Sequence, residues 1–145
     1  MSTVKSTQAE HVAIPARGAV AARLADYLEL TKPRIAMLAL FTVTVGYSLA
    51  GEGTWRLVPL LHALAGIALV AAGSSALNQY AERRTDELME RTASRPLPAG
   101  RLLPIEVLLF GLIAGFVGCL YLAVAVNALT AVLAAATLLI YALVY

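Results

Sequence analysis

The chain has 145 residues, 60% of them hydrophobic and 14% charged, with a formal net charge of +2 and a mean hydropathy of +0.78. Soluble domains carry about 45–50% apolar residues, so this composition describes an integral membrane protein. No extended basic face suits nucleic acid, and the lone Cys119 leaves no disulfide and no cysteine-based metal site.

Residues 1 to about 17 read as a mobile tail, polar and interrupted by Pro15; His11 has no specific role there. No 7–15-residue apolar core of a cleavable signal lies in the first 25 residues. From Gly18 to Thr31, Val20, Leu24, Tyr27 and Leu28 recur at helical spacing while Arg23, Asp26 and Glu29 fall elsewhere, the pattern of a helix lying in the membrane interface. Thr31-Lys32-Pro33-Arg34 opens the first span, since proline is tolerated in a first helical turn. That span covers about 35–50. Gly51-Glu52-Gly53-Thr54 follows as a tight polar loop, with Trp55 as an interface anchor.

The second span covers about 57–77. Gly66 and Gly73-Ser74-Ser75 would let a neighbouring helix approach closely. A polar loop, 78–101, follows and closes with Arg95-Pro96-Leu97-Pro98-Ala99-Gly100-Arg101, which its prolines would hold extended. From Leu102 to Tyr145 the chain is apolar except for Glu106 and Asn127. One helix of that length would reach ~66 Å, about twice a ~30 Å hydrocarbon core. It therefore folds back at Val126-Asn127-Ala128, giving spans at about 104–125 and 128–145. Gly111, Gly115 and Gly118 read as a helix-packing face. The expectation is an all-α, polytopic transmembrane bundle of four spans.

Five Lys or Arg residues precede span one, one lies in the first loop, five lie in the second and none in the third. The amino terminus and the 78–101 loop are therefore expected in the cytoplasm, and the protein in the inner (cytoplasmic) membrane.

Chemistry concentrates where the second span meets water. Asn78, Glu82 and Asp86 stand four residues apart, so on a helix they share one stripe about 12 Å long. They offer oxygen ligands, which Mg²⁺ prefers. Glu90 would prolong the stripe, while Arg83–Glu87 and Glu87–Arg91 would pair at i,i+4 on another face. An anionic face left without partners, with Arg91 and Arg95 nearby, suits Mg²⁺ and a diphosphate ester of a long lipid alcohol. The bland reading is a solvated, salt-laced connector. His62 reads as a packing or cavity residue rather than an iron ligand, Glu106 as a headgroup-level residue, and Tyr121, Tyr141 and Tyr145 as packing or interface residues.

Asn78-x₃-Glu82-x₃-Asp86 resembles the first acidic motif of the UbiA superfamily of intramembrane prenyltransferases. Glutamate in the middle, with Asp86-x₂-Met89-x-Arg91-Thr92-x₂-Arg95-Pro96-Leu97-Pro98-x-Gly100-Arg101, is similar to its haem-farnesylating branch, as is Asp26-Tyr27-x₂-Leu30-Thr31-Lys32-Pro33-Arg34. The resemblance covers residues 26–145 and leaves 1–25 as a cytoplasmic tail. It implies farnesyl diphosphate and haem b as substrates, haem O and diphosphate as products, Mg²⁺ as cofactor and membrane lipid as surroundings. Asn78, Glu82 and Asp86 would hold metal and diphosphate; Arg91, Arg95, Lys32 and Arg34 would secure the phosphates. The superfamily has about nine spans and a second acidic motif. The chain is therefore expected to be an amino-terminal portion, inactive alone, with the missing carboxyl-terminal half or haem A synthase as partner. A quinone-precursor or chlorin prenyltransferase and a non-catalytic four-span subunit are the competing readings.

Overall fold

In the computed structural model, residues 16–51 and 56–144 are described, and all regular structure among them is helical. Helix α1 covers Ala16–Leu30, α2 Pro33–Ala50, α3 Leu57–Asp86, α4 Pro104–Ala125 and α5 Ala128–Val144. Three of these, α2, α3 and α4, are long and apolar enough to cross a membrane. The fourth expected span corresponds to α5, an apolar helix of 17 residues, at the short end of what spans a bilayer. His11, Glu52–Trp55 and Tyr145 lie outside the described residues.

The helix of the second span runs on past its apolar segment, as the helical stripe requires. Helix α3 does not stop at Leu77; it runs unbroken for 30 residues to Asp86, ~45 Å in all. The motif therefore stands on a helix that projects beyond the apolar segment, and the loop begins at Glu87. Glu90 lies past the helix end, so it does not extend the stripe. Among the described residues Glu87 pairs with neither Arg83 nor Arg91. Arg83 instead stacks 4.2 Å over the Tyr80 ring and donates to the Tyr80 carbonyl at 2.7 Å.

Glycine sets the spacing of α3 and α4. A Cβ on Gly73 would come within 2.5 Å of the Gly115 amide nitrogen and 2.7 Å of the Gly111 carbonyl, so the two backbones touch there. Close van der Waals contact of this kind holds helices together where lipid supplies no hydrophobic drive. Gly115 also admits Leu138 of α5 and Gly118 admits Val70, so the expected glycine face packs in two directions. Asn127 turns the chain between α4 and α5, its Oδ1 accepting the Thr130 amide at 2.7 Å.

At the motif end, Leu30, Ala76, Leu97, Leu102 and Val107 form a core, with Tyr27, Tyr80 and Phe110 against it. Tyr27 thus leaves the outward stripe of α1 and packs 5.3 Å from Phe110, while Val20, Leu24 and Leu28 remain exposed. The Arg95–Arg101 run is compact rather than extended. Arg101 N–H donates to the Pro96 carbonyl at 2.9 Å and Gly100 N–H to Leu97 at 3.1 Å, closing a Schellman turn. Gly100 supplies the required left-handed residue, with φ of 69°.

Candidate functional site

The end of α3 gathers the polar motif, and burial separates its members. Asn78 and Gln79 are each 2% exposed, and Glu82 is half-buried. The Asp86 side chain is 3% exposed, although it ends a helix, where the dipole disfavours an acid. Arg95 neutralises it: Nη1 lies 2.6 Å from Asp86 Oδ2 and 3.8 Å from Glu82 Oε2. The acidic stripe is therefore not left without a partner, as the sequence alone suggested. Buried Thr92 donates Oγ1 to the Asp86 carbonyl at 2.9 Å, closing the helix end.

Lys32 joins this group from the α1–α2 junction. It takes a left-handed conformation, φ 47° and ψ 65°, directly before Pro33. Its carbonyl accepts the Ile35 and Ala36 amides at 2.9 and 3.1 Å, starting α2. Burial lowers the ammonium's pKa below the usual lysine range, and the neighbouring Arg95 guanidinium lowers it further; Glu82 and Asp86 pull the other way. Lys32 therefore lies within electrostatic reach of both acids. Arg34 and Arg91, expected beside it, are exposed, and among the described residues no ion pair joins them to the acids.

Several contacts hold this geometry that the motif spacing does not announce. Gln79 donates Nε2 to the Leu30 carbonyl at 2.9 Å, tying α1 to α3. Arg101 pairs with Asp26 and, at 2.9 Å, with Glu29, and donates to the Ser94 carbonyl at 2.8 Å. Arg23 pairs with Glu106 at 2.6 Å, and Glu106 also accepts the Leu103 amide at the start of α4. Thr92 and Arg101 belong to the motif run read in the sequence, but their partners, far away in sequence or on the backbone, do not follow from it.

Ser75 Oγ, Asn78 Oδ1 and Gln79 Oε1 of α3 are buried and have no hydrogen-bond partner among the described residues. Unmet buried acceptors are uncommon. Ser75 also lines an apolar cavity of about 410 Å³ between α2, α3 and α5. Lys32, Ser74 and Ser75 are among the polar residues in its wall, and Ile67, Leu133 and Leu138 among the apolar ones. Among the described residues no three of His, Cys, Asp and Glu cluster as a ready metal cage. The oxygen donors are two carboxylates and one amide.

His62 is placed at the other end of α3, ~24 Å along the helix from Asn78. Its Nδ1 is 2.6 Å from the Tyr121 hydroxyl, which accounts for both side chains by packing and hydrogen bonding.

The sequence profile of the UbiA prenyltransferase family matches residues 39–145. A protein of Alkalilimnicola ehrlichii named protoheme IX farnesyltransferase is 46% identical over 94% of this chain and 45% of its own length. A Shewanella pealeana protein of the same name is 47% identical over 82% of this chain and 40% of its own. In Pseudomonas putida, protoheme IX farnesyltransferase 1 is 47% identical over 83% of this chain and 40% of its own. The chain spans less than half the length of these relatives. No solved structure matches it.

Proposed function

The chain belongs to the UbiA prenyltransferase family, and we propose that it supplies the diphosphate-binding part of a farnesyltransferase acting on haem b. The observation that carries this reading is the meeting of Glu82, Asp86, Arg95 and Lys32 at the end of α3, which also holds the unpartnered amide oxygen of Asn78, with Lys32 lining an apolar cavity. A prenyl diphosphate has the same two-part chemistry. The names of the relatives support farnesyl diphosphate and haem b as the substrates.

The donors fit Mg²⁺: all are oxygens, and the Asn78 Oδ1 is buried without a partner. Asn78, Glu82 and Asp86 would hold the ion, which would draw off negative charge as diphosphate departs. Arg95 and Lys32 bind diphosphate oxygens as charged donors. Thr92 keeps Asp86 at the helix end. The cavity takes the isoprenoid tail and keeps water from it. Breaking the C–O bond leaves diphosphate with the bonding pair and an allylic cation. A porphyrin vinyl group attacks that cation; water adds to the resulting carbocation and loses a proton, completing a hydroxyethyl group. Arg34 and Arg91, on the exposed rim, meet the charged headgroup before it reaches Lys32 and Arg95.

On this reading residues 26–145 are the transferase part, and the residues of α1 before them are tied to it through Arg23 and Glu106. The distribution of basic residues supports an inner-membrane protein with the amino terminus and the 87–103 loop in the cytoplasm.

The test is a chimera in which this chain replaces the matched segment of the Alkalilimnicola ehrlichii relative. Membranes receive farnesyl diphosphate, Mg²⁺ and either haem b or 4-hydroxybenzoate, and products are identified by mass. Haem O is expected, falling roughly 10²–10³-fold in Glu82→Ala and in Asp86→Ala at equal membrane insertion. Prenylated 4-hydroxybenzoate without haem O would move the acceptor to quinone precursors. Unchanged turnover in both variants would make the motif end structural.

A further inference from the structure

We propose that Arg95 is a built-in counter-ion that the site must exchange, so that a divalent cation and a diphosphate bind together rather than one after the other. This rests on the diphosphate-site reading above and adds the order of occupancy. The Arg95 guanidinium lies 2.6 Å from the Asp86 carboxylate and 3.8 Å from that of Glu82, the position from which a cation would serve both acids. Asp86 is almost wholly buried, so removal of its guanidinium without replacement leaves a charge with neither partner nor water.

Charge balance gives the reason. Lys32 and Arg95 stand against Glu82 and Asp86, two cations against two anions. A divalent cation entering alone would meet carboxylates already neutralised, beside two positive side chains. Diphosphate changes that balance, because it offers the displaced guanidinium a bidentate partner of its own.

The local backbone suits a side-chain exchange. Arg95 N–H donates to Thr92 and its carbonyl accepts Ala99, each at 3.0 Å, while Pro96 and Leu97 are buried next to it. The peptide is therefore held, yet the arginine side chain is 27% exposed and has a path outward. By linkage, each ligand then raises the other's affinity by the same factor.

The test uses the chain in lipid nanodiscs with Mn²⁺ as the probe cation, read by electron paramagnetic resonance. Mn²⁺ is titrated with and without inorganic diphosphate, and the solution Mn²⁺–diphosphate complex is titrated separately. Diphosphate should raise the protein's Mn²⁺ affinity at least about tenfold. Arg95→Gln should bind Mn²⁺ alone at least about tenfold more tightly than the parent and lose most of the coupling; Arg95→Lys should keep it. Equal Mn²⁺ affinity in the parent with and without diphosphate overturns the counter-ion role, even if Arg95→Gln fails to fold. Absence of all Mn²⁺ and diphosphate binding in every protein overturns the site reading itself, and this inference with it.

Discussion

Replacing Gly73 by alanine should weaken the fold, whereas the same change at Gly46 should strengthen it. Alanine exceeds glycine in a helix by about 1 kcal/mol, so both sites start with that gain. At Gly46 nothing lies within 4 Å of the added carbon, and the gain stands. At Gly73 the carbon would lie 2.5 Å from the Gly115 nitrogen, with backbone that cannot rotate aside. Helices α3 and α4 must then separate by roughly 1 Å, and a gap of 0.5–1 Å forfeits a quarter to a half of each contact. For ~50 atom pairs at about 0.15 kcal/mol the loss is about 2–4 kcal/mol, leaving Gly73→Ala about 1–3 kcal/mol less stable. Reversible unfolding in mixed detergent micelles, followed by far-ultraviolet circular dichroism, measures both variants against the parent. A Gly73→Ala protein as stable as Gly46→Ala would refute the close backbone contact.

Three further outcomes follow from the motif end. Thr92→Val removes the hydroxyl that caps the Asp86 carbonyl and should cost about 1 kcal/mol in the same assay while weakening diphosphate binding; unchanged values on both counts would remove its role. Arg101→Ala leaves the buried Asp26 carboxylate without its guanidinium and should cost about 1–3 kcal/mol, whereas Glu29→Ala, at a half-exposed pair, should cost less than about 1; the reverse ranking contradicts the geometry. Lys32 has a pKa below 10.5, so diphosphate affinity should fall as pH rises, beginning below that value, and Lys32→Arg should flatten the profile. Stability runs oppositely at this residue: the unfolded chain binds the proton more tightly, so folding gains as pH rises through the lowered pKa towards 10.5 and loses that gain as pH falls.

How far the sequence reveals the molecule depends on the range of each interaction. The starts of α2 and α4 follow Pro33 and Pro104, and the last reversal falls at Asn127, because local backbone chemistry decides each. The Asn78–Glu82–Asp86 stripe was legible for the same reason, as four-residue spacing has one meaning on a helix. The end of α3 was not, because Thr92 and Arg95 terminate and neutralise it from the loop. The compact turn at 96–101 depends on Gly100 adopting a left-handed angle, which outweighed the extended tendency before each proline. Lys32 and Arg34 look equivalent in sequence, but the α1–α2 junction turns one inward and leaves the other exposed. The His62–Tyr121 bond needs two helices at a known rotation, which no spacing rule provides.

The left-handed backbone at Lys32 also bears on laboratory evolution. An L-residue held at φ 47° is strained by roughly 1–3 kcal/mol, and glycine would release that strain while deleting the ammonium. Selection for heat resistance alone should therefore enrich glycine or asparagine at position 32, and the hardier descendants should grip phosphorylated compounds less well.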